Sequence, residues 1–367
     1  MADPIISQMF GTRTPKPWAS TKVVALENPS PHLLYGVELE IENCNEDWNT
    51  AGFKVVTDGS LRNGGLEFVS SPMTYSNMAY ALETFFNKNK PVEIKDDHHN
   101  TTDDSNYSDR TSIHVHTNVN DLTLKQLMGL CLIYEVFEKL LFTYIGNDRD
   151  KNIFCVPWSE TTLTYSALPE LIGVNGAGVI KNWEKYTALN LIPVSTQGSI
   201  EWRHMHGTAD LQFILTWLRL IGHIYKYIQN TDIEEIKSNF LGMNTTSAYD
   251  HLLDRVFSYD ADKLRTHNYR FMLEEGVLEM KYAMLEKPTA KKSASTFGNV
   301  MWRNEAANIL TQAHIQEIQR EIAARAGFQL NRAAARGRDQ VFRTQAPAGR
   351  QPADPVVVFD DLNEDNR

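Results

Sequence analysis

Residues Leu34 to Glu42 read LYGVELEIE, and this stretch decides the fold. Residues i and i+2 of a strand share a face and lie about 7 Å apart. Val37, Leu39 and Ile41 therefore point one way, and Glu38, Glu40 and Glu42 the other. Three carboxylates at that spacing repel one another unless water or cations lie between them. Taken alone, the segment reads as a half-exposed strand with a wet acidic face.

Three further segments repeat the pattern. Leu66 to Ser70 (LEFVS) follows the turn-forming Asp58-Gly59 and Asn63-Gly64-Gly65, and sets Glu67 between apolar neighbours. Thr111 to Asn118 (TSIHVHTN) places Ile113 and Val115 on one face, and Ser112, His114, His116 and Asn118 on the other. Two histidines at i and i+2 can reach one metal, or one metal and one phosphate. Ser199 to Met205 (SIEWRHM) pairs Ile200 with Trp202 and Glu201 with Arg203. That Glu and Arg read either as a surface ion pair or as a clamp for phosphate or carboxylate oxygens.

Each segment alone fits an ordinary surface strand; together they agree on one arrangement. In a single antiparallel sheet, one face would pack under helices. The other would gather Glu38, Glu40, Glu67, His114, His116, Glu201 and Arg203. Such a crowd of carboxylates calls for divalent cations, and hard oxygen ligands favour Mg²⁺ or Mn²⁺. The chemistry this suits is Mg-nucleotide binding and phosphoryl transfer, in which positioning and charge neutralisation do most of the catalysis.

The rest of the chain frames these strands. It has 367 residues, of which 42% are hydrophobic and 22% charged, which excludes collagen-like, wholly disordered and small disulfide-rich classes. Cys44, Cys131 and Cys155 are few and widely spaced, as expected of reduced thiols in a cytoplasmic protein without a zinc ribbon. The apolar run Leu127 to Ile145 carries Glu135, Glu138 and Lys139, so it reads as a buried helix and not a membrane span. Met1-Ala-Asp-Pro lacks the basic and apolar regions of a signal peptide.

Residues 1–30, interrupted by Pro15, Pro17 and Pro29, read as a loop-like arm. The body runs over residues 31–286, with Lys95 to Arg110 as a long polar loop. The formal net charge of −10 hides a division: residues 287–350 hold eleven Lys and Arg against four acids, and residues 351–367 five acids against one Arg. An acidic body thus carries a basic Ala/Arg-rich tail over 287–367. Ile309, Ile315, Ile318 and Ile322 predict an amphipathic helix over 303–325, and the acidic end reads as disordered. Only the tail has the charge to hold a nucleic acid or an acidic protein partner.

In order, G-V-E-L-E at 36–40, D-G-S…G-L-E-F-V-S-S-P at 58–72, H-V-H at 114–116 and K-Y-x-x-L-N…S-I-E-W-R at 185–203 resemble the amidoligase family. That family belongs to the glutamine synthetase and glutamate–cysteine ligase superfamily, and is often met in phages and bacterial gene clusters. The resemblance covers roughly residues 31–225. It implies an ATP-dependent carboxylate–amine ligase, in which a carboxylate takes the γ-phosphoryl group of ATP and an amine captures the acyl phosphate. It implies Glu38, Glu40, Glu67, His114 and Glu201 as ligands of Mg²⁺ or Mn²⁺, with His116 nearer the nucleotide. Arg203 would stabilise the transferred phosphate, and Glu38, Glu201 and Arg203 form the catalytic set. Asp58 and Ser60 are the expected substrate contacts. Lys185, toward the nucleotide, and Asn190, toward substrate, match family positions for which structural support is an equal reading. The superfamily often assembles, so a homo-oligomer is in keeping with it.

The expected fold is α+β: an antiparallel sheet with a polar active-site face, and helices such as 122–144 and 209–229 over the other, as in the glutamine synthetase and glutamate–cysteine ligase folds. Two other functions stay open at this point. One is a catalytically inactive structural or binding protein whose tail engages a partner; the other is a metal-dependent hydrolase, disfavoured by Arg203. A small molecule, a peptide and a protein side chain all remain candidate substrates.

Overall fold

The alternation of residues is realised in six strands of a computed structural model that describes residues 3–44, 48, 50–97, 100–146, 149–161, 176–243 and 246–285. They are β1 (Tyr35–Ile41), β2 (Phe53–Thr57), β3 (Leu66–Ser70), β4 (Ser112–Asn118), β5 (Leu189–Asn190) and β6 (Ser199–His206). All pair antiparallel in one sheet, in the order β2-β3-β1-β4-β6-β5. The register sets Glu40 opposite Glu67, Glu38 opposite His114, and His116 opposite Glu201.

Among the described residues the helices are α1 (Ile6–Phe10), α2 (Tyr75–Asn89), α3 (Leu124–Ile145), α4 (Gly176–Lys181), α5 (Ile192–Thr196), α6 (Leu211–Asn230), α7 (Ile233–Leu241), α8 (Thr246–Phe257) and α9 (Tyr269–Leu285). The fold is α+β. The two long helices expected from the sequence are α3 and α6, each shifted by a residue or two because their caps fix the start. The Thr123 hydroxyl accepts the Gln126 N–H at 3.2 Å, and the Gln126 side chain accepts the Thr123 N–H at 3.0 Å, a reciprocal capping box. Asp210 accepts the Phe213 N–H at 3.0 Å and starts α6 in the same way.

The apolar face of the sheet packs on α2, α3 and α6. Phe68 meets Phe85 of α2 edge-on, with ring centroids 4.9 Å apart. Trp202 meets Tyr134 of α3 at 5.8 Å and Trp217 of α6 at 6.3 Å, both edge-on. These rings are fully buried, and edge-on pairs add about 0.5–1.5 kcal/mol each to the burial itself. Helix α3 is a buried helix, as its composition suggests. Among the described residues, no helix is long and apolar enough to cross a membrane.

Two local expectations are corrected. The arm is not all loop: α1 forms before Gly11, whose φ of +72° closes it, and the Ile6 N–H donates to Leu122 O at 2.9 Å. Ile6 is fully buried, so the start of the chain is anchored on the body. Glu42 does not share the open acidic face. Strand β1 ends at Ile41, and the buried Glu42 carboxylate turns to Arg62, accepting its backbone N–H at 2.9 Å and its guanidinium at 3.3 Å. The 95–110 stretch contains no helix among its described residues; Asn106 ties it to β1 by donating to Glu42 O at 2.8 Å. The tail from 287, with its expected helix at 303–325 and acidic terminus, lies outside the described residues.

Candidate active site

On the face opposite the core, β1, β3, β4, β5 and β6 line a cleft of about 440 Å³. Glu38, Glu40, Glu67, His114, His116, Glu201 and Arg203 all line it, as do Asp58, Ser60, Lys185 and Asn190. Every residue singled out in the sequence for this site therefore faces one cleft. Period-two alternation puts them on one face, and the antiparallel register brings the four segments side by side.

Within the cleft the acids and imidazoles interlock. His114 Nδ1 lies 3.2 Å from Glu38 Oε2, 3.5 Å from Glu201 Oε1 and 3.9 Å from Glu40 Oε1. Its Nε2 meets the Ser112 hydroxyl at 2.8 Å, and that hydroxyl donates to Glu40. His116 Nδ1 meets the Ser199 hydroxyl at 3.2 Å, while its Nε2 approaches Glu38 Oε1 to 3.1 Å without hydrogen-bond geometry. Arg203 pairs with Glu201 and donates from Nε to Phe154 O at 2.9 Å. Asn190 spends its whole carboxamide on support: Nδ2 donates to Glu201 Oε2 at 2.7 Å, and Oδ1 accepts the Ile192 N–H at 3.0 Å.

The charge balance is uneven, and the acids respond in different directions. Burial raises Glu38, but the His114 hydrogen bond and the adjacent His116 imidazole outweigh it and hold the carboxyl well below the usual range. Burial raises Glu201 too, but His114 and Arg203 bring it below its ordinary value. Among the described residues Glu67 has no such partner. Burial, and then the Glu38 and Glu40 carboxylates, push it up to about 8. His116 is pulled down by burial and raised further by Glu38, with a net rise.

The residues present fit a divalent cation. Glu38, His116 and Glu201 each offer a ligand atom, and these atoms lie within 4.8 Å of one another. Two carboxylates and an imidazole whose buried Nε2 lacks a hydrogen bond suit Mg²⁺ or Mn²⁺. The histidine of this trio is His116, whereas His114, the expected ligand, is held between Glu38 and Ser112.

Arg149 is a cleft residue that the sequence did not announce. Between Ile113 and Val115 the register slips, with Met205 and Trp202 as their partners, so β6 carries one extra residue. His204 and Met205 are consequently both buried in the apolar layer, and Arg203 stays toward the cleft. Arg149 follows α3 and satisfies the carbonyls of this bulge, donating from Nε to His204 O at 3.1 Å and from Nη2 to Arg203 O at 2.9 Å. A lone Arg in a polar turn carries no periodic signal. Phe154 and Tyr186 also line the cleft, their rings 5.5 Å apart, with the Arg203 guanidinium 5.9 Å from the Tyr186 centroid.

No family model matches the chain, and no curated protein does.

Proposed function

We propose that the protein is an ATP- and Mg²⁺-dependent carboxylate–amine ligase, with a sheet related to that of glutamine synthetase and glutamate–cysteine ligase. The observation that carries this reading is the meeting, in one cleft, of five carboxylates and two imidazoles with four cations, Arg110, Arg149, Lys185 and Arg203. The first group suits divalent cations and the second suits the phosphates those cations would accompany. Bound metal would draw phosphate oxygens together and offset their charge.

The chain's own residues supply the rest. Glu38, His116 and Glu201 would hold a cation, with Glu40 and Glu67 beside them. Asn190 and Arg203 fix the two oxygens of Glu201, so its orientation does not depend on the ligand. Arg203 is itself locked by Phe154 O, which leaves it placed to meet charge on a transferred phosphoryl group. The amide would form by transfer of the γ-phosphoryl group to a carboxylate, followed by capture of the acyl phosphate by an amine. The basic tail would serve as an accessory that binds a protein or nucleic-acid partner.

Calorimetric titration of ATP tests the reading. Binding should require Mg²⁺, vanish with chelator, and weaken at least tenfold in Glu38→Gln while the fold persists by circular dichroism. ATP binding that ignores both the metal and Glu38 would remove the ligase assignment.

A further inference from the structure

The acidic cluster has a second side. Behind Glu38 and His116 lies a separate chamber of about 280 Å³, between β1, β3, the start of β6 and the arm. Pro15, Leu34, Val69 and Pro72 give it an apolar surface, and Ser70, Asn118, Gln197 and Ser199 add polar groups. Glu38, His116 and Gln197 line both spaces, which therefore adjoin one another. Gly36 keeps the chamber open, and Asn120 is what requires a glycine at 198. Gly36 shares the face of Glu38 two residues on, so any side chain there would enter the space. Gly198, at φ +70°, packs against Asn120, where a Cβ would collide with the carboxamide.

Charge divides the two spaces. The larger cleft carries Arg110, Arg149, Lys185 and Arg203, the cations needed by a triphosphate and by a substrate carboxylate. Among the described residues lining the chamber there is neither Lys nor Arg, and Glu38 is its one carboxylate. A carboxylate placed there would face the Glu38 carboxylate, with the His116 imidazole as the one base among the described lining residues. A primary amine would set its ammonium against Glu38 and its carbon chain against Pro15, Val69 and Pro72.

We propose that this chamber is the entry and binding site of the amine substrate, and that the substrate is a primary amine on a short unbranched aliphatic chain. The inference rests on the ligase reading and names the acceptor class for it. The acyl phosphate forms in the larger cleft: a carboxylate oxygen bonds to the γ-phosphorus, and ADP departs with the electron pair of the broken P–O bond. The ammonium in the chamber gives one proton to solvent. Its nitrogen lone pair then bonds to the acyl carbon, the acyl C–O bond breaks, and the phosphate leaves with the second proton displaced from nitrogen.

The test is ligand-observed NMR on the whole protein, with n-butylamine and butyrate as opposed probes and Mg-ATP binding measured on the same samples. Butylamine should bind and butyrate should not displace it. Across methylamine to n-butylamine, affinity should rise by up to about fourfold per added CH₂ as the chain fills the apolar space. Val69→Phe and Gly36→Val both fill the chamber. A Cβ at Gly36 meets only His116 Cβ at 3.5 Å, ordinary contact, so Gly36→Ala, measured beside them, should fold and weaken butylamine to a smaller extent. Val69→Phe and Gly36→Val should each weaken butylamine at least tenfold, and by at least fivefold more than they weaken Mg-ATP. Mg-ATP binding without butylamine binding, displacement by butyrate, or an affinity indifferent to chain length and to Gly36→Val would overturn the proposal. Butylamine binding lost in Gly36→Val, in a protein that never binds Mg-ATP, would keep the amine site and remove the ligase reading instead.

Discussion

The molecule buries acids in two places, and the two differ in what faces them. In the helical layers Asp260 and Glu138 have partners of their own, while Glu275 and Glu279 share Lys139. Asp260 receives both Arg219 nitrogens at 2.9 Å and lies 3.2 Å from His223 Nε2; burial raises its carboxyl, and Arg219 and His223 more than reverse this. Glu138 accepts the Trp158 N–H and the Tyr134 hydroxyl at 2.7 Å, and the Ser159 N–H at 3.0 Å. Glu279 faces Lys139 at 3.2 Å. On the sheet, by contrast, Glu38, Glu40, Glu67 and Glu201 share two imidazoles and the guanidinium of Arg203, with Arg149 beside Glu40. Removing a partner from a buried pair is costly, so matched acids hold a fold together. Acids in surplus of their partners cost stability, and their retention in a cleft points to a ligand that supplies the missing charge.

The comparison can be broken where the two layers touch. Trp202→Ala, on the apolar side of the strand that carries Glu201 and Arg203, should destabilise the protein by about 3–5 kcal/mol in chemical denaturation. A loss well under 1 kcal/mol would mean that the two faces are misassigned. Next comes the helical layer: Glu138→Ala strips three donors of their acceptor and should cost about 3 kcal/mol by the same measurement. Little change there would make the matched acids as dispensable as the unmatched ones.

Glu67 should behave in the opposite sense and more weakly. Its carboxyl is raised to about 8 in the folded protein, so between an ordinary Glu value and that point the folded state keeps a proton that the unfolded chain has released. Its contribution to stability is therefore present at low pH and is lost as the pH rises through this window. Without divalent cation, Glu67→Gln should be nearly neutral at pH 4 and stabilising at pH 8 by about 1–2 kcal/mol, allowing for water's access to a half-buried carboxyl. A mutant that loses stability at pH 8 would show that Glu67 is paired after all.

Much of this was legible in the sequence, and the reasons are specific. Alternation in LYGVELEIE and TSIHVHTN fixes which side chains share a face whatever the partners, so Glu38, Glu40, His114 and His116 were placed by period alone. Glu42 escaped because alternation does not say where a strand ends; β1 stops one residue earlier and Arg62 claims the carboxylate. The extra residue in β6 was hidden, since SIEWRHM alternates well until His204 and Met205 turn the same way. Arg149, which holds that bulge, and the chamber behind Glu38 both depend on chain segments far apart in sequence. Their side chains carry no spacing signal until the sheet and the arm have closed around them.

The most direct measurement is Mn²⁺ binding to the purified protein, followed by electron paramagnetic resonance, in wild type, Glu38→Gln and Glu138→Gln. The surplus of carboxylates in the cleft predicts bound Mn²⁺ in wild type, and in Glu138→Gln as far as it folds. It also predicts at least tenfold weaker binding in Glu38→Gln. Mn²⁺ bound equally well by Glu38→Gln, or not bound by the wild type with or without ATP, would contradict the view that these acids are held in reserve for a cation.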